Sequence, residues 1–172
     1  MYVIRPIHPN EPGAWNTVAS FSMLTILETL PEARRDPSIV PNLSVEAMAS
    51  SYAQHRSNPD HRVMVVEETS TPMVVGAAIA LMRTDDDGLR YGYSYTRYIL
   101  PAHRRRGLAR QLLRQAIAWW DEQGAAYVLA HTHPSNAPLL GLFTSEGFVE
   151  VGRSNKRWPS VILKRVGPAG GV

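Results

Sequence analysis

The sequence predicts a mixed α/β fold. Extended apolar segments separated by short turn signals recur between residues 62 and 100, a helical period begins at Gly107, and a further extended segment follows that helix. The last two features make a strand–helix–strand crossover, which beside a meander of strands gives a mixed sheet covered by helices. At 172 residues the chain has room for one domain with a core. One domain is expected over residues 1–166, with the glycine-rich run 167–172 as a disordered tail.

Each element has a local cause. Tyr2–Ile7 reads as a first strand, closed by Pro9 and Pro12. A helix is expected from Pro12 to Leu27, broken by the three prolines of Pro31–Pro41. Ser44 is placed to cap a second helix reaching His55, with Glu46 in its first turn, where the helix dipole favours an acid. Strands are expected at Arg62–Glu68, Val74–Arg83 and Leu89–Leu100. The run Val74–Met82 is apolar almost throughout, which places it at the sheet centre, buried on both faces. From Gly107 the residues Leu108, Leu112, Ala116 and Trp119 recur at helical spacing, and Gly124 suits the end of that helix. Ala126–His131, a short helix Pro138–Ser145, Phe148–Arg153 and Val161–Val166 complete the order.

Composition narrows the chemistry. There is no cysteine, so disulfides, thiolate nucleophiles and cysteine metal sites are excluded. Met1–Ile7 carries Arg5 and Pro6 with no long apolar run behind it, and no stretch has the length of a membrane helix, so a cytoplasmic protein without a membrane partner is expected. The net charge is only +3, and the basic residues make one tight cluster, Arg104-Arg105-Arg106, rather than a long stripe; nucleic acid is not expected as a partner. No metal is expected. Asp85-Asp86-Asp87-Gly88 lacks further spaced ligands and reads as a solvated hairpin turn, and His131-x-His133 has no third ligand nearby.

The most informative stretch is Leu100-Pro-Ala-His-Arg-Arg-Arg-Gly-Leu-Ala109, between a strand and an amphipathic helix. Pro101 stops strand pairing, Gly107 permits a close backbone approach, and Ala109 leaves the helix start unencumbered. The first N–H groups of a helix have no intrahelical acceptor and carry positive partial charge, so such a turn binds phosphate through backbone donors. It is neither a dinucleotide glycine fingerprint nor a P-loop.

Arg104, Gly107 and Ala109 after Leu100-Pro101, followed downstream by Asn136, Phe143, Gly147 and Phe148, resemble the motifs of the GNAT superfamily of acyl-CoA-dependent N-acyltransferases. The order of elements agrees with that family from Tyr2 to Val166. The resemblance implies a mostly antiparallel seven-stranded sheet with a splayed parallel strand pair and about four helices. It implies an N-acetyltransferase that passes an acetyl group from acetyl-CoA to a primary amine by direct attack in a ternary complex. Tyr98, Ile99 and Leu100 would contact the pantetheine, and the N–H near Leu100 would polarise the thioester carbonyl. Arg104, Arg105, Arg106, Gly107, Leu108, Ala109 and Arg110 would hold the pyrophosphate through their N–H groups. Asn136 would reach the pantetheine arm, and Phe143 would pack near the thioester.

Two departures from the family pattern bear on catalysis. Phe143 stands where relatives often carry a tyrosine that protonates the leaving thiolate, so Tyr95, Tyr98 or a water would have to serve. The strand Tyr91–Tyr98 carries no acid to act as base. Tyr91, Tyr93 and Tyr95 share a strand face, either as an amine pocket or as a packed aromatic ladder. His131 and His133 follow the next strand with an ordinary pKa suited to proton transfer near neutrality, and loop-stabilising roles remain the alternative. Glu67 and Glu68 are further candidates. The missing strand acid leaves open a non-catalytic acyl-CoA-binding domain. The strand region Arg157–Val166 is expected at a sheet edge, where it could pair two subunits into a homodimer.

Overall fold

The computed structural model describes residues 1–8, 10–11, 13–30, 44–55, 57–156 and 159–168. The proline-rich segment expected to break the first helix therefore lies outside the described residues, as do most of the expected tail and Arg157. The elements run β1 (Tyr2–Pro6), α1 (Ala14–Thr29), α2 (Val45–Ser51) continued by a 3-10 turn (Tyr52–His55), β2 (His61–Glu68), β3 (Met73–Thr84) and β4 (Arg90–Ile99). A 3-10 turn (Pro101–His103), α3 (Leu108–Glu122), β5 (Tyr127–Thr132), α4 (Ala137–Ser145), β6 (Val149–Ser154) and β7 (Ser160–Val166) follow. The seven strands form one sheet in the order β1-β2-β3-β4-β5-β7-β6. Pairing is antiparallel at β1–β2, β5–β7 and β6–β7, and parallel at β4–β5. No helix among the described residues is long and apolar enough to cross a membrane.

The chain divides into two compact units, Met1–Ile79 with Thr96–Leu112, and Ala80–Tyr95 with Leu113–Val172. In the first, α1 buries Trp15, Val18, Ala19 and Ser22, the i, i+3, i+4, i+7 stripe of an amphipathic helix. Its cap is Gly13 in the left-handed region rather than a side chain. Ser44 caps α2 as expected, its hydroxyl accepting from the Ala47 N–H at 3.1 Å. Arg5 bridges Glu11 and Glu67, each at 2.8 Å, which ties β1 to β2 and commits Glu67. Residues Val75–Met82 of β3 are buried without interruption, in line with a central strand.

In the second unit α3 turns Leu113, Ala116, Ile117 and Trp120 inward. The Trp120 indole N–H donates to the Leu81 carbonyl at 3.0 Å, satisfying the one polar atom of that buried ring. Gly92 lies beneath the same indole, where a Cβ would fall 2.7 Å from the ring. The turn after β3 is built by Asp85, whose Oδ1 accepts from the N–H groups of Asp87 (3.1 Å) and Leu89 (2.8 Å). Its Oδ2 takes the Tyr127 hydroxyl at 2.6 Å. The acidic run is thus a hydrogen-bonded turn.

Two expectations near the C-terminus change. The last strand, β7, lies between β5 and β6, so it is not an edge strand; the edge is β6. That edge carries a register shift between Glu150 and Gly152 and an Arg153–Glu150 ion pair at 2.7 Å, both features that discourage strand addition. Gly167, at the start of the expected tail, is buried and donates its N–H to Ala126 at 3.0 Å.

Candidate active site

The first unit holds the turn. Leu100 donates its N–H to the Val75 carbonyl at 2.9 Å, so among the N–H groups near Leu100 this one belongs to the sheet. Strand alternation then directs the N–H of Ile99 away from β3. The 3-10 turn follows, with the His103 N–H on Leu100 (2.9 Å) and the Arg104 N–H on Pro101 (3.2 Å). Arg105 adopts φ 62° and Gly107 φ 76°. A left-handed arginine is uncommon, and left-handed residues in a tight turn direct successive amides into one concavity suited to an anion. The first bond of the α3 ladder runs from the Gln111 N–H to the Gly107 carbonyl, so the N–H groups of Leu108 and Ala109 lie ahead of it, at the end where a helix presents its donors outward.

The three adjacent arginines have separate tasks. The Arg104 Nε donates to the Ile99 carbonyl at 2.9 Å, and its Nη2 meets both oxygens of Glu28 at 3.0 and 2.8 Å. Its side chain and its own N–H are therefore spent inside the protein. Arg106 lies over the Tyr2 ring, with Cζ 5.8 Å from the centroid. Arg105 makes no ion pair, hydrogen bond or ring contact among the described residues. Tyr2 also hydrogen-bonds His103 Nδ1 at 3.0 Å, so the turn is fastened on one flank to β1 and on the other to α1. Tyr98 donates its hydroxyl to Glu28 at 2.6 Å, and burial followed by that hydrogen bond pushes its pKa up to about 12. Tyr98 is thus a poor proton donor to a thiolate. Glu28, which ties the helix, the strand and the turn, was missed by sequence reasoning; its partners lie 70 and 76 positions away and no local pattern marks it.

The second unit holds the remaining candidates. The parallel β4–β5 ladder comprises Gly92↔Val128, Tyr93↔Leu129 and Ser94↔Ala130 and ends there, while β5 stays paired with β7 through Thr132. Tyr95 and His131 are the residues immediately after that last pair. Both adjoin Tyr93, with ring centroids at 6.5 Å for Tyr95 and 5.7 Å, edge-on, for His131. Burial and then the charge of Arg83 hold the His131 pKa below the ordinary imidazole value. His131 is therefore neutral, with a lone pair, near neutral pH. His133 is differently placed: its Nδ1 lies 2.6 Å from the Ser135 hydroxyl and accepts the Ser135 N–H at 3.2 Å, a loop-building arrangement. The tyrosine row splits, because Tyr91 stacks on Tyr127 at 5.1 Å whereas Tyr93 and Tyr95 stay with His131.

Asn136 caps α4, its Oδ1 accepting from the Leu139 N–H at 3.3 Å. Phe143 is 2% exposed and packs edge-on against Phe148 at 4.9 Å. Phe148 precedes β6 rather than starting it, and its N–H closes the end of α4 on the Phe143 carbonyl at 3.1 Å. The Asn–Phe–Gly–Phe signature is thus also a helix with both ends secured. Among the described residues, no group of three metal-ligating side chains comes together.

A seven-stranded mixed sheet with one parallel pair that ends early, and left-handed residues opening the helix between those two strands, are the elements that the family resemblance implies. The chain belongs to the acetyltransferase (GNAT) family, whose family model matches residues 26–148. The acetyl transferase GW6a of Oryza sativa subsp. japonica is 31% identical over 113 residues, 60% of this chain and 27% of that protein; the chain spans little more than a quarter of that relative's length. Two solved structures show the same fold at low identity. The ribosomal-protein-S5-alanine acetyltransferase from Vibrio fischeri has a TM-score of 0.72 and 14% identity, covering 99% of this chain and 96% of that one. The acetyltransferase yncA from Salmonella typhimurium, solved with its cofactor acetyl-CoA, has a TM-score of 0.68 and 19% identity, covering 96% and 94%.

Proposed function

We propose that this protein transfers the acetyl group of acetyl-CoA to a primary amine by direct attack in a ternary complex. The observation that carries this reading is the turn at Arg104–Arg110, with left-handed Arg105 and Gly107 ahead of the N-terminus of α3. In this reading the amides from Arg105 to Arg110 hold the pyrophosphate, with Arg105 and Arg106 supplying charge. Arg104 acts differently: it positions the turn through Glu28 and the Ile99 carbonyl. Tyr98, Ile99 and Leu100 contact the pantetheine, and the Ile99 N–H, directed away from β3, stabilises the developing oxyanion. Asn136 and Phe143 contribute an end-capped helix to the pantetheine arm.

His131 takes the proton that the attacking amine must lose, because its neutral form predominates at neutral pH. Tyr95, 44% exposed and beside Tyr93, is assigned the protonation of the thiolate in place of the missing tyrosine at Phe143. His133 supports the loop rather than the chemistry.

Calorimetric titration of acetyl-CoA tests the reading. Binding at about −8 kcal/mol, a micromolar dissociation constant, is expected for the wild type. Ala109→Glu sets a carboxylate in the first helical turn, where the dipole stabilises it, so the fold is kept while phosphate is repelled. A loss of at least about 100-fold, ~2.7 kcal/mol, is expected for that variant. A folded wild type indifferent to millimolar acetyl-CoA would overturn the assignment.

A further inference from the structure

Arg83, near the end of β3, lays its guanidinium over the Tyr93 ring, with Cζ 4.1 Å from the centroid. Tyr93 meets His131 and Tyr95, so four side chains make one cluster. They lie on the face opposite α3: Gly92 is under Trp120, and the tyrosines alternate with it along the strand. The flat side of the guanidinium rests on the ring, while its N–H edge has no ion pair or hydrogen bond among the described residues. Asp85, two residues on, keeps its charge but makes no ion pair with Arg83, its oxygens being held by Asp87, Leu89 and Tyr127. On the same side Lys164 lies over Tyr127, 4.2 Å from its centroid, within electrostatic reach of Asp85. The cluster is a phenolic floor carrying an exposed planar cation.

We propose that Arg83 recognises a carboxylate on the acceptor, and that the acceptor is a small amine bearing that carboxylate, of the amino-acid type. This rests on the acetyl-transfer reading and adds the substrate class to it. A guanidinium edge is a two-pronged donor matched to a carboxylate. Tyr93 and Tyr95 offer flat surface to the few carbons between the acid and the amine. A polyamine or a lysine-rich protein segment brings no carboxylate for the guanidinium edge and adds positive charge beside Arg83. Because Arg83 also disfavours the imidazolium form of His131, one residue anchors the acid and keeps the neighbouring base unprotonated.

The test measures thiol release from acetyl-CoA with a panel of amino acids, each paired with its own carboxamide. The wild type is expected to favour the carboxylate forms about tenfold or more in kcat/KM, mainly through KM. In Arg83→Gln the ratio is expected to fall to about one, with part of the preference restored in Arg83→Lys, which keeps the charge without the fork. Unchanged acetyl-CoA affinity in Arg83→Gln reports that the variant is folded. Competition in the wild type probes the same contact without any variant: an N-acetyl amino acid should inhibit about tenfold more strongly than its amide. A preference that survives Arg83→Gln, a wild type that favours the amides, or equal inhibition by acid and amide overturns the proposal and leaves the acetyl-CoA reading standing. No acetyl-CoA binding and no thiol release with any amine sinks both.

Discussion

Arg104 and Glu28 join the last turn of α1 to the loop that opens α3, one guanidinium nitrogen reaching both carboxylate oxygens at 3.0 and 2.8 Å. Each side chain is 42% exposed, which holds the ion pair alone below about 1 kcal/mol of stability. Its value lies in geometry, because the same guanidinium also holds the Ile99 carbonyl. Arg104→Ala is therefore expected to lower stability by less than about 1 kcal/mol yet weaken acetyl-CoA about tenfold, by leaving the turn unfastened. Denaturant titration and calorimetry on one preparation separate the two effects. Equal losses in both would reduce Arg104 to an ordinary stabilising residue.

Arg105 adopts a backbone conformation suited to glycine. Arg105→Gly relieves that strain at some cost in chain entropy, and should leave stability within about 1 kcal/mol of wild type. It also removes a cation from the turn that the proposed function gives to the pyrophosphate. Weaker acetyl-CoA binding with a shallower salt dependence is expected. Identical salt slopes for the two proteins would mean that Arg105 does not face the phosphates.

Gly92→Ala sets a methyl group 2.7 Å from the Trp120 indole. Overpacking of this kind costs about 1–3 kcal/mol, to be read as a lowered thermal midpoint. A midpoint equal to wild type would mean that the indole shifts freely, contrary to its buried hydrogen bond with Leu81.

His55 has its pKa pushed down to about 4 by burial and then by His61, whose Nδ1 lies 2.7 Å from its own. An unfolded histidine titrates near 6.5. Between the two values the unfolded chain binds more protons than the folded one, so stability is fully present above about pH 6.5 and is lost as the pH falls towards 4. The loss is bounded at about 3 kcal/mol. Urea denaturation across that range should show the slope, and His55→Asn should flatten it.

The rate should carry a second pH dependence. With His131 as base, the acid limb of kcat/KM lies below the ordinary imidazole pKa, because burial and then Arg83 disfavour its charged form. Tyr93, whose ring meets His131 and whose pKa burial raises, remains a neutral acid in this range. Arg83→Gln should move the limb upward, toward the ordinary value. A limb unmoved by that substitution and by His131→Gln would place the base elsewhere.

Much of the frame was legible because its causes are local. The period of Leu108, Leu112, Ala116 and Trp119, the cap at Ser44 and the apolar run of β3 act over one or two turns, and each is found close to its expected place. The backbone shape of the turn before α3 was legible for the same reason, since a glycine and a small residue at fixed offsets encode it. Side-chain commitments were not. Arg104 looks like its neighbours in sequence, and only its approach to Glu28 distinguishes it. Arg83 reads as the polar end of an apolar strand, and only the Tyr93 ring beneath it sets it apart. The commitment of the Leu100 amide and the interior place of β7 follow from strand order, which single-strand patterns do not encode.

The fastening of the phosphate turn has a consequence for how the molecule is made. Its two ties span 101 residues, from Tyr2 to His103, and 76 residues, from Glu28 to Arg104. Closing such long loops is entropically uphill until the intervening strands are in register. Ties of such separation are expected to close after the local elements have formed. Contacts absent from the folding transition state mainly slow unfolding. A nucleotide held there would act as a kinetic clasp, lengthening the lifetime of the native state more than it hastens its formation.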